Sequence, residues 1–250
     1  MKQTFMVLSF LVLFAGCQPD QETEQQIQVE LTDAAACMEV WMIGAEAGAW
    51  AWAPYATFAA GAIYGAIMSS EAAGNRMANP DYRLPEEYII AGNPYECIGY
   101  AHNRNLDYIR NTLGSTAPLV EFNEDAIRNA TNNYVECNPE LVTDTLLAQY
   151  ERYNFRGIIN EQNRERYEQS TLMELLREKQ ATDTSGVASY VIDFIQRYNN
   201  DLGRSGDYVK KIRYVNDELL SRMKFEEGDN RKIPKLIFLT SLKHSVYHWR

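Results

Sequence analysis

From Asn93 onward the chain reads as a succession of amphipathic helices. Tyr95, Ile98, His102, Leu106, Ile109 and Leu113 follow one another at steps of 3, 4, 4, 3 and 4, which puts them on one face of a helix. Asn93-Pro94-Tyr95-Glu96 opens it with a capping residue, a Pro in the first turn and a Glu placed to return a hydrogen bond to the cap amide; Gly114 closes it. Asn123, with Phe122 as a staple residue before it, starts a helix reaching about Glu136, and Asn138-Pro139 starts one reaching about Tyr153. A charged helix is predicted over about 160–180 and is broken by Thr182 to Ser185. Val187, Tyr190, Val191, Phe194, Ile195, Tyr198 and Leu202 mark the face of the next, with Gly203 just past its end. Asp207 to Glu227 and Pro234 to Trp249 give the last two. No stretch alternates with period two, so the expected class is all-α.

Upstream the pattern changes. From Ala34 to Pro80 only Glu39, Glu46, Glu71 and Arg76 are charged, and Ala47 to Met68 carries no charge at all. Thr57, Gly61, Gly65, Ser69 and Ala73 recur every fourth residue, and Gly44 and Gly48 repeat that interval earlier. Small residues at i and i+4 line one helix face and let a second backbone approach closely. Two helices are expected, about 33–52 and 56–73, meeting at Ala53-Pro54 where the ring removes an amide donor. The stripe suits the contact surface of a helical hairpin packed within a soluble domain. It also resembles the glycine zippers of self-associating and membrane-inserting proteins. Full immersion is disfavoured by the three Glu residues, because a carboxylate at the bilayer centre costs around 2.5 kcal/mol or more.

The most specific pattern is N-terminal. Met1-Lys2 makes a short positive start, Thr4 to Gly16 is uncharged and rich in Phe, Leu and Val, and the run ends Phe14-Ala15-Gly16-Cys17. Thirteen helical residues would span roughly 20 Å, short of the ~30 Å hydrocarbon layer, which favours a cleavable export signal over a membrane span. Small residues before a Cys resemble the lipobox of bacterial lipoproteins, although Phe14 stands where that family usually has a branched aliphatic residue. The resemblance implies that residues 1–16 are a signal peptide and that the thiol of Cys17 carries the lipid, so the partner is a membrane reached through acyl chains. The place implied is a bacterial cell envelope, at the outer membrane. Residues 18–30 hold four acids, five Gln and one Pro and are expected to form, with Cys17, a flexible tether. The acids after Cys17 loosely resemble a signal for surface display.

Composition narrows the function without naming it. With 46% apolar and 23% charged residues the chain is globular, and mean hydropathy of −0.40 argues against a multi-span membrane protein. A net charge of −10 disfavours a phosphate-binding role, because the excess of acids repels polyanions, and with it nucleic acid as a partner. Arg152, Arg156, Arg164 and Arg166 alternate with Glu, as a solvated helix face does. Sixteen Tyr suit either the edges of a core or a groove for a sugar or a peptide, the first being the more economical reading. Once Cys17 is set aside, Cys37, Cys97 and Cys137 allow at most one intramolecular disulfide, without choosing the pair, and none has zinc-site spacing.

Three His remain as candidate chemistry. His244 and His248, four apart near the end of the last helix, could share a metal, but Ser245-Val246-Tyr247 between them lacks the metalloprotease Glu. Two solvent-facing or partly packed rings at a frayed end account for them as well. His102 has Glu96 and Asp107 nearby in sequence, yet no nucleophile is locally placed, so a packed ring is the simpler reading than a general base. No phosphate-binding, dinucleotide or hydrolase motif is present, no cofactor is implied, and an enzyme is the least favoured class. Asn93 to Asn103 with Leu106-Asp107-Tyr108, and Ser241 to Trp249, are similar to exported bacterial proteins of unassigned function, a resemblance that implies no activity.

The organisation expected from the sequence is therefore a signal peptide over 1–16, a tether over 17–30, an Ala/Gly-rich helical hairpin over 31–76 and a helical body over 77–250. Its role is binding or structural association in the envelope, with Gly44, Gly48, Thr57, Gly61, Gly65 and Ser69 as the surface for an envelope partner or for self-association. A secreted, membrane-active protein using the hairpin is the alternative, and an enzyme near His102 the second.

Overall fold

A computed structural model describes residues 26–27, 29–32, 34–35, 83–93, 95–96, 99–100, 103–104, 172–225 and 232–250. The expected signal peptide, Cys17, the small-residue stripe, His102, the other three Cys and the expected helices between 123 and 153 lie outside these residues. The described residues are helical with turns between, and no strand occurs among them. Four helices close the chain: α1 (Leu172–Gln180), α2 (Val187–Leu202), α3 (Tyr208–Phe225) and α4 (Lys232–His248). Helical residues within 26–35 and 96–104 pack beside them, and a 3-10 turn spans Glu86–Tyr88.

Each boundary has a local cause. Gly186 precedes α2 at φ 74°, a conformation that suits a residue without Cβ, and supplies no side chain to cap the helix. Asp183 and Ser185 cap it instead: the carboxylate accepts from the Ala188 amide at 2.7 Å and the Ser185 amide at 2.8 Å, and Ser185 Oγ accepts from the Val187 amide at 3.3 Å. Burial would raise the carboxyl pKa of Asp183, but its hydrogen bonds from Ser185 and the Ala188 amide outweigh that and hold it below the ordinary value. At the start of α3, Asp207 Oδ1 accepts from the amides of Val209 and Lys210 at 3.0 and 3.2 Å.

The core forms where the apolar faces meet. Phe194 of α2 stacks on Tyr198 at 5.9 Å, tilts against Tyr214 of α3 at 6.0 Å and meets Phe238 of α4 edge-on at 5.7 Å, so one ring ties three helices together. Such pairs contribute about 0.5–1.5 kcal/mol each beyond the area they bury. Tyr198 is wholly buried, while Tyr190, Tyr208 and Tyr214 pack partly buried at the core edge. Tyr208 meets Tyr247 at 6.2 Å, which sets the start of α3 beside the close of α4 and makes the two helices antiparallel.

The last helix departs from its expected setting. Every residue from Leu236 to Trp249 is buried, including Thr240, Ser241, Lys243, His244, Ser245 and His248. A helix covered on all sides is a central element, not a frayed terminus. The reading of His244 and His248 as rings at a loose end is thereby corrected: they are 2% and 0% exposed.

Of the tether expected over 17–30, the described residues 26–27 and 29–30 are part of the folded body. Gln26, Ile27, Val29 and Glu30 are helical and buried, continuous with buried Leu31, Ala34 and Ala35. Ile27, Leu31 and Ala35 repeat at i+4 and join the core cluster. Gln26 and Glu30 are not solvated but satisfied from within, as described next.

Candidate functional site

Two buried polar centres join distant parts of the chain, and both are built on acids. The first gathers around Glu96, at the start of the helical residues within 96–104. Asn93 caps this start, its Oδ1 accepting from the Tyr95 amide at 3.1 Å. Glu96 does not return the expected bond to the cap amide, because the Asn93 N–H already donates to the Ile90 carbonyl at 3.1 Å. Instead Glu96 Oε1 accepts from the Ile90 amide and Asn93 Nδ2, each at 3.1 Å, and from Lys243 Nζ; its Oε2 pairs with His244 Nε2 at 3.2 Å. Burial alone would raise this carboxyl, but the hydrogen bond from His244 and the charge of Lys243 bring it down to about 2.

Further bonds extend the centre across α4. Asn93 Nδ2 donates to Thr240 Oγ1 at 3.0 Å, and Asn103 Nδ2 donates to the His244 carbonyl at 3.0 Å. Lys243 Nζ and Asn216 Nδ2 both donate to the Tyr88 carbonyl at 3.1 Å, which brings in α3 and the 3-10 turn. Between these anchors Gly99 lies against His244 so closely that a Cβ on it would stand 2.3 Å from the imidazole ring. Asn93, Glu96, Gly99 and Asn103 thus form one face toward Thr240, Lys243 and His244.

The second centre is drier. Glu30 and Lys211 are each 0% exposed, with Lys211 Nζ 2.9 and 3.0 Å from the two carboxylate oxygens. Tyr198 donates its hydroxyl to Glu30 Oε2 at 3.2 Å. Burial dominates here and pushes the Glu30 carboxyl above its ordinary value, with Lys211, Tyr198 and Gln26 opposing it. Gln26 Nε2 donates to the Trp249 carbonyl at 3.1 Å, which joins this segment to the last turn of α4.

No protein-family model, curated protein or solved structure matches this chain. The chemistry therefore has to be read from the residues. Glu96 takes part in four hydrogen bonds, three at Oε1 and one at Oε2, and so acts as a cross-brace between segments. Of the candidates named from sequence, His244 is engaged by Glu96, and His248 lies edge-on to Trp249 at 5.2 Å. No group of three or more His, Cys, Asp or Glu suited to a metal occurs among the described residues. Pairing His102 with Glu96 draws on a carboxylate that the structure commits to α4, while His102 itself lies outside the described residues.

Sequence reasoning missed Glu30, Lys211 and Lys243. Lys211 had a visible signal, since it sits beside Ile212 and one turn before Val215 on the buried side of α3. The run 236–249 had another: it contains a single Lys and no acid, too little charge to make a solvated face.

Proposed function

We propose that the protein is a lipid-anchored component of a bacterial cell envelope that acts by binding or structural association, with Cys17 as the acylated residue. The observation that carries this reading is the run from Met1 to Cys17: a basic start, an apolar stretch too short to span, and two small residues before the Cys. Two or more acyl chains hold a protein stably where one does not, each buried methylene contributing about 0.8 kcal/mol. No described helix is long and apolar enough to cross a membrane. The helical residues within 26–35 support the reading in one respect. Joined to α2, α3 and α4 through Glu30 and Gln26, they give an anchor at Cys17 a short connection to a folded body.

The full architecture proposed is all-α, with an Ala/Gly-rich hairpin over 31–76 leading into the helical body. The stripe of Gly44, Gly48, Thr57, Gly61, Gly65 and Ser69 is the surface for an envelope partner or a second copy, and the outer membrane is the proposed site. The test is Cys17→Ser in the native host. The variant leaves the membrane fraction and no longer incorporates labelled palmitate. Retention in the membrane without label would overturn the lipid anchor and point to the hairpin as the attachment.

A further inference from the structure

We draw no further inference here: the strongest candidate, the buried side-chain cluster of Glu96, Lys243 and His244 where the residues within 93–104 meet α4, belongs to the centre already described, where it braces two segments, and no observation among the described residues points from it to a ligand.

Discussion

Gly99 and Glu96 show how much of the molecule depends on single groups. An Ala at 99 would gain about 1 kcal/mol of helix propensity, yet its methyl would meet the fixed part of the His244 side chain at 2.3 Å, an overpacking that typically costs 1–3 kcal/mol. Gly99→Ala is expected to lose about 1–2 kcal/mol in urea unfolding, while Ala at exposed Gly206, with nothing within 4 Å, should stay near neutral. Glu96 makes a pH-dependent contribution. Its carboxyl, ordinarily near 4.5, is held at about 2, so its stabilisation, about 3 kcal/mol, is fully present above pH 4.5 and lost as pH falls through 2. Glu96→Gln should be less stable than the parent by about 3–5 kcal/mol at pH 7, because Lys243 is left buried without its counter-charge, and the gap should close towards pH 2. A gap that does not change with pH would show that the carboxylate is not the group responsible. From sequence Asn93 and Glu96 were legible as a helix start, and Asn93 does cap it. The partners of Glu96 were not legible, since Lys243 and His244 lie 147 and 148 positions away and local pattern carries no information at that range.

Helices were read most accurately where apolar spacing and a breaker agree. The break at 182–185 and the face of α2 match the structure because Asp183, Ser185 and Gly186 stop one helix and cap the next, whatever the tertiary setting. Asp207 is as independent of context: Asp207→Ala should cost about 1 kcal/mol, with faster amide exchange confined to Val209 and Lys210, and Asp207→Asn should retain most of the stability. What periodicity could not supply was the setting of each helix. α4 looks like a terminal helix because it comes last, yet α2, α3 and the residues near Gly99 and Gln26 enclose it. The 26–30 stretch reads as solvated because Gln and Glu dominate it, and it is Lys211, Tyr198 and Gln26 that make burial of Glu30 tolerable.

At the scale of the whole molecule, the first described residues are part of the same body as the last. A chain beginning at residue 36 would leave Lys211 buried with no carboxylate, a loss of about 3–5 kcal/mol, and would uncover the core around Ile27 and Leu31. It is expected to unfold at markedly lower temperature than a chain beginning at residue 18, and Lys211→Met should recover part of the difference by removing the stranded charge. Equal melting of the two chains would show that the segment lies on the bundle without supporting it. The pairing of Gln26 with Trp249 spans 223 positions. A ribosome adding about 5–20 residues per second finishes the second partner on the order of ten seconds or more after the first. For most of that interval Ile27, Glu30 and Leu31 exist without the helices that enclose them, and Gln26 waits for its partner until the close of α4 has been made.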